Sequence, residues 1–195
     1  MDDLNALLED LTSGDEPRAE AAAVRFVSLG EKAFYALATL YASPDPEVRW
    51  WAVRALTEFD EERVSNLLIL ALDDADPGVQ AAAALGLRQH PAETAIPKLL
   101  EKLGGEDQLL SRLMRDALVA LGTKSTPHLI EILENEASSH TARLEAVRAL
   151  AHIEDPASIG ALFKIYNDGS SLMQYWAEEG LTRMGIVMMF FDPKD

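Results

Sequence analysis

Small and apolar residues recur along this chain in helical stripes, separated by short polar turns. Pro46-Glu47-Val48-Arg49-Trp50-Trp51-Ala52-Val53-Arg54-Ala55-Leu56 serves as a template. Its positions 48, 52, 55 and 56 are small or apolar in every copy found, the i, i+4, i+7, i+8 stripe of an amphipathic helix. The copies begin at Pro17, Pro46 and Pro77 and continue through Leu113–Leu121, Ala142–Leu150 and Met173–Leu181. Their aligned alanines are Ala23, Ala52, Ala83, Ala117, Ala146 and Ala177, spaced by 29, 31, 34, 29 and 31 residues. A period near thirty residues signals a repeat architecture, in which each unit buries its apolar face only against its neighbours.

Helix boundaries follow from the residues around each stripe. Glu16-Pro17, Asp45-Pro46 and Asp76-Pro77 place an acidic residue before a proline in the first turn, where the missing N–H costs nothing. Ser139 and Ser170 take the cap position in later copies, and the fourth helix is expected to start near Asp107. A second helix is predicted after each of the first five, at about Glu31–Ala42, Glu61–Leu72, Ala92–Leu103, Lys124–Leu133 and Asp155–Tyr166. Gly30, Gly122 and Gly185 fall where a left-handed residue ends a first helix. Residues 2–12 read as one further helix covering the N-terminal end. The expectation is an all-α, α-α superhelix, a HEAT-like solenoid of five helix pairs, a truncated sixth and an N-terminal capping helix. It is expected to form a single domain over residues 1–195.

Composition narrows the function. The chain has 33 acidic and 17 basic residues, a net charge of −16, and no cysteine. Such a surface repels phosphates, which excludes nucleic acid as the expected partner. The charge has two readings, solubility or attraction of a basic partner. Without cysteine, disulfides, thiolate zinc sites and cysteine nucleophiles are excluded, and a cytoplasmic location is expected. The longest apolar run, Ile186–Phe191, is too short to span a bilayer, and the acidic start Met1-Asp2-Asp3 is unlike a secretion signal.

From Asp45 to Leu56 the chain reads Asp-Pro-x-Val-Arg-x-x-Ala-Val-x-Ala-Leu, which resembles the short HEAT-like repeats named after phycobilisome lyases. The resemblance runs from about Asp15 to Gly185. It implies the solenoid fold and leaves the function open, because similar proteins include bilin lyase subunits, phycobilisome-degradation factors, a di-iron hydroxylase and many that only bind partners.

The hydroxylases of that group bind iron through repeated His-Glu pairs. Here His90, His128, His140 and His152 are followed by Pro91, Leu129, Thr141 and Ile153, and they occupy different repeat positions. No metal or other cofactor is therefore expected. Ser111, Ser125 and Ser158 sit near helix starts, where capping is the ordinary role, and no Gly-x-Ser-x-Gly or phosphate loop occurs. The chain is accordingly expected not to be an enzyme. Arg25, Arg54 and Arg148 share one repeat position and Arg49 and Arg143 another, and they are expected to pair with acidic cap residues of adjacent repeats.

A protein-binding scaffold is the leading expectation, with a bilin lyase or tetrapyrrole-handling subunit as the alternative. The partner face is assigned to the second helices, at Tyr35, Asn66, Lys98, Glu101, Lys102, His128, Glu131 and Lys164. Trp51 and Trp176 share a position with Asp116 and Glu145, which implies exposure; each indole either folds over a neighbour or anchors a partner. The apolar segment from Ile186 to Phe191 replaces a final second helix, either packing back on the last repeat or forming an interface. A monomer or weak homodimer is expected.

Overall fold

A computed structural model describes residues 2–59 and 62–186. Among these residues it holds twelve α-helices and no strand, the HEAT-like α-α solenoid fold. Helix α1 is Asp2–Leu11. First helices are α2 (Glu16–Ala23), α4 (Pro46–Leu56), α6 (Pro77–Gln89), α8 (Gln108–Ala120), α10 (His140–Ile153) and α12 (Ser171–Arg183). Second helices are α3 (Glu31–Leu40), α5 (Glu62–Ala71), α7 (Ile96–Lys102), α9 (Thr126–Glu134) and α11 (Ile159–Asp168). The third and fifth second helices open with a 3₁₀ turn, Glu93–Ala95 and Pro156–Ser158, so their α-helical part starts later than the stripe alone predicts. No described helix is long and apolar enough to cross a membrane.

The caps form where the sequence places them except in α2, where the cap is Asp15 and the expected Glu16 is the first residue of the helix. Asp15 accepts from the Arg18 amide at 3.0 Å, Asp45 from Glu47 at 2.9 Å, and Asp76 from Gly78 and Val79 at 2.8 and 3.1 Å. Asp107 accepts from Leu109 and Leu110 at 2.8 and 3.0 Å, which fixes the early start of α8. Ser139 caps α10 through the Ala142 amide at 3.1 Å, whereas Ser170 holds the cap position of α12 without a side-chain bond. Each bond satisfies an amide that the helix itself leaves open, worth about 1 kcal/mol. Gly30, Gly122 and Gly185 have φ of 61°, 61° and 77°, and after Gly30 and Gly122 this left-handed turn lets the second helix fold back.

The contacts divide into two compact units, Met1–Lys98 and Leu99–Asp195. In the first, α1 packs on α2, α2 on α4, α4 on α6, and the second helices α3 and α5 lean on the following first helices. In the second, α8 packs on α10 and α10 on α12, with α9 and α11 leaning on α10 and α12 in the same way. All six template alanines are fully buried, and so are Leu56, Leu87, Leu118, Leu150 and Leu181. Full burial of each leucine is worth roughly 1.5–3 kcal/mol.

The arginines pair differently from expectation. Arg49 grips Asp74 with two bonds, Nη2 to Oδ1 at 2.7 Å and Nε to Oδ2 at 2.8 Å, and Nη1 donates to the Ser43 and Pro44 carbonyls. Asp74 lies in the loop two residues before cap Asp76, whose amide it also accepts at 2.9 Å. Arg54 pairs with Glu20 of the preceding first helix and with Glu58. The carboxylates used are thus loop and helix residues. The caps are already committed to backbone amides.

Two predictions follow from the packing. A Cβ on Gly180 would come within 2.8 Å of the Ala151 backbone, while one on Gly160 meets nothing within 4 Å. Gly180→Ala should therefore destabilise by about 1–3 kcal/mol in urea unfolding. Gly160→Ala should leave stability unchanged or raise it by about 0.4–1 kcal/mol.

The second concerns acid. The Arg49 hydrogen bonds hold the Asp74 carboxyl below its ordinary value. A lowered folded pKa gives stability that is present above the unfolded pKa, about 3.9, and lost as pH falls through the folded value. Asp74→Asn should reduce Tm near neutral pH and flatten its decline below about pH 4. An unchanged acid limb would show that the pair contributes nothing there.

Candidate functional site

The second helices carry the predicted partner face. On α3, Tyr35 is 59% exposed and meets Phe34 edge-on at 5.7 Å. Arg63 of α5 stacks its guanidinium 3.9 Å over the Phe34 ring, lies 5.7 Å from the Tyr35 ring, and pairs with Glu31 at 3.3 Å. Asn66 follows Arg63 by one turn and is exposed, and Leu70, a turn further on, is 61% exposed. Glu31, Phe34, Tyr35 and Arg63 thus form one aromatic and cationic cluster across α3 and α5. Sequence reasoning found Tyr35 and missed Arg63; the signal was an arginine alone on a second helix.

The remaining candidates are spread along later helices. Lys98 pairs with Asp73 at 2.9 Å, and beyond it on α7 Glu101 is exposed and Lys102 half-buried. In the second unit, His128 and Glu131 share one exposed face of α9, and Lys164 is exposed on α11. Neighbouring second helices in each unit therefore turn polar side chains outward at corresponding turns.

Trp51 corrects an expectation. It is only 7% exposed, packed edge-on against Trp50 at 4.7 Å. The position it shares with Glu145 and Trp176 is a contact between first helices, and its polar occupants misled because Glu145 is itself buried. Glu145 is neutralised there by Arg115 of α8 at 2.8 Å and Arg148 at 2.6 Å. Trp176 is half-buried beside His152, 5.6 Å away, and the Arg148 guanidinium, 5.5 Å away; its indole Nε1 is buried without a partner. Both indoles fold over neighbours. The Ile186–Phe191 expectation lies outside the described residues except for Ile186, which is half-buried.

Two clefts open between first helices. In the second unit, a space of about 420 Å³ between α8 and α10 is lined by Ser111, Arg112, Thr141, Leu144, Glu145 and Arg148. In the first, a space of about 440 Å³ lies between α4 and α6, near Trp50 and Leu85. In the α8–α10 cleft, both oxygens of Glu145 already accept from guanidinium groups, so that carboxylate holds the helices together.

The histidines serve the framework. His90 Nε2 donates to the Thr57 carbonyl at 2.7 Å and His152 Nδ1 to the Arg148 carbonyl at 2.7 Å, while His140 lies 3.4 Å from Ser170 Oγ. Among the described residues no three His, Cys, Asp or Glu side chains are grouped to hold a metal ion.

Removal of Glu145 is the sharpest probe of this network. Glu145→Ala leaves Arg148 without its carboxylate and Arg115 with Asp116 alone, 2.7 Å away, and should cost about 1–3 kcal/mol in unfolding stability. A loss under 1 kcal/mol would mean that water replaces the carboxylate.

Comparison with known proteins places these observations. A sequence profile for HEAT repeats matches residues 2–88 and, overlapping them, residues 31–122. The phycocyanobilin lyase subunit beta of Pseudanabaena tenuis is 34% identical over 105 residues, covering 53% of this chain and 36% of that protein. The bilin biosynthesis protein RpcF of Synechococcus sp. is 30% identical over 94 residues, covering 48% of this chain and 44% of that protein. The chain therefore spans less than half the length of these curated relatives. Among solved structures, the complex of CpcE and CpcF of phycocyanin lyase from Nostoc sp. aligns with a TM-score of 0.55 at 22% identity, covering 93% of this chain and 77% of that one. The two curated relatives overturn the expectation that the chain is not an enzyme, because one is named as a lyase subunit and the other as a bilin biosynthesis protein. The lack of a catalytic motif on any single helix does not exclude an enzyme.

Proposed function

The chain belongs to the HEAT-repeat family, and on that premise we propose that it is a lyase-type subunit that binds a protein partner, handling a tetrapyrrole-carrying protein. The observation that carries this reading is the outward-facing cluster on α3 and α5. Tyr35 is about three-fifths exposed there, beside an arginine stacked on an aromatic ring, and Leu70, two turns along α5 from that arginine, is exposed to the same extent. Exposed aromatic, apolar and guanidinium groups on adjacent helices have the composition of an interface centre. The lyase part of the reading draws on the named relatives, at 34% and 30% identity.

On this reading Tyr35, Asn66, Lys98, Glu101, Lys102, His128, Glu131 and Lys164 contribute to contact along the second helices. The net charge of −16 favours a partner with a basic surface. The chain acts in the cytoplasm, as a monomer or weak homodimer when no partner is bound.

The test uses the whole chain, a purified phycocyanin subunit and free phycocyanobilin. Gel filtration should show co-elution with the phycocyanin subunit, or absorbance should show a spectral change of the bilin on mixing. Affinity should fall steeply as salt rises, because exposed charges are screened beyond about 8 Å at physiological ionic strength. Tyr35→Ala should weaken it by about tenfold, the cost of truncating an interface hot spot. Absence of both co-elution and spectral change would overturn the lyase reading. Salt-independent binding would return the charge to the role of solubility.

A further inference from the structure

The α4–α6 groove in the first unit departs from the repeat that builds it. Trp50, Ala82 and Leu85 form its apolar lining, with Arg54, Arg88 and Gln89 at its polar side. Leu85 is 43% exposed at a repeat position that is charged in four other copies, as Arg25, Arg54, Arg148 and Glu179, and is Val119 in the fifth. Trp50 stands where the two adjacent copies have Ala21 and Ala81 and the later ones Arg115, Leu144 and Tyr175, and Arg88 where every other copy has a small residue, Ser28, Thr57, Gly122, Ala151 or Thr182. Copies with small residues at these positions fold as well. The helix contact between α4 and α6 therefore does not by itself require an indole, an exposed leucine and a guanidinium in one groove.

The charge around the groove is also unlike that of the chain. Among the described residues no carboxylate lines it, in a chain of net charge −16. Arg54 is already held by Glu20 and Glu58. Arg88 is exposed and makes no hydrogen bond or ion pair with the described residues. Its planar fork of donors is suited to a carboxylate, and the adjacent Trp50 and Leu85 are suited to an apolar side chain.

We propose that this groove is a second docking surface, separate from the second-helix face, for a partner-protein segment that presents an apolar side chain beside carboxylates. The anchor is buried against Trp50 and Leu85, and a carboxylate is taken by Arg88. Arg88, whose charge no described carboxylate pairs, favours an acidic segment over a basic one at this groove. The inference stands independently of the lyase reading, since it uses different residues on different helices.

The repeat supplies variants whose side chains are already tolerated at the same positions: Trp50→Ala, Leu85→Arg and Arg88→Thr. The probe is a fluorescently labelled helical peptide with a Leu–Phe anchor pair flanked by glutamates, and the control has lysines in place of the glutamates. Anisotropy should show saturable binding of the glutamate peptide and much weaker binding of the lysine peptide. Each variant should lower affinity by about tenfold, the usual effect of removing an interface anchor. Circular dichroism melts would establish that the variants fold, and Tyr35→Ala should leave the affinity unchanged. The proposal is overturned if the glutamate peptide does not bind, if the lysine peptide binds as well, or if folded Leu85→Arg binds normally. Loss of binding in Tyr35→Ala would move the peptide to the second-helix face and overturn it as well.

Discussion

Close approach between successive first helices is the constraint on which the rest depends. At the template position the chain places Ala23, Ala52, Ala83, Ala117, Ala146 and Ala177, all fully buried. Where the approach is tightest even alanine is too large: Gly180 faces the Ala151 backbone with no room for a Cβ. A small residue at this place brings two helix backbones near enough for the flanking leucines to interlock. The period near thirty residues is the chain length needed to climb one helix, turn back through another and return to the same place. Caps and left-handed glycines serve that return, since each helix must stop within a residue or so of the proper turn.

Much of this was legible in the sequence because it is local or periodic. An aspartate before a proline and an apolar stripe marks a helix start, and Asp45 and Asp76 behave accordingly, whereas at α2 the cap falls on Asp15, one residue before the expected Glu16. Asp107 was equally legible, although its copy lacks the proline. Exposure was less legible, because it depends on which side chains meet across helices. Glu145 looks like a solvent residue until Arg115, thirty residues earlier, and Arg148 are placed around it. The shared position then becomes a buried contact, and Trp51 is buried with it. Ser170 shows the complementary failure: it has the right residue type in the right place, yet makes no capping bond. The candidate site was legible at Tyr35 and Asn66, which helical periodicity turns outward. Arg63 was missed because its partners Glu31 and Phe34 lie on the preceding second helix.

The two kinds of cation are also divided between the layers. Every arginine except Arg63 lies on a first helix or immediately beside one, and every described lysine lies on a second helix or the turn that leads into it. First helices pack against one another, and Arg49, Arg54, Arg115 and Arg148 sit there in partly dry places where a planar fork can meet two oxygens at once. Arg49 on Asp74 has that geometry. Lysine, a strongly hydrated point charge on a flexible stem, suits the wetter second helices. The paired first-helix arginines thus serve the fold, while exposed cations such as Arg88 and Lys164 are left for recognition.

That division gives a way to separate structure from function inside a repeat protein. Where all copies agree, as at the buried alanines, packing is a sufficient cause. Where a copy departs and the departure is buried and paired, as at Glu145, the cause is still structural, because the compensation can be named. Where a copy departs and the new side chain faces solvent with nothing in the chain to compensate it, packing offers no cause. Leu85 at a mostly charged position and Arg88 at a small-residue position are of this third kind, and they border the same groove. Tyr35 is less isolated, since Phe34 and Arg63 support its ring while leaving most of it exposed. A supported but exposed aromatic is pre-ordered for contact and loses little conformational freedom on binding. An interaction protein built from repeats can therefore place its recognition residues only at positions that the helix contacts leave free.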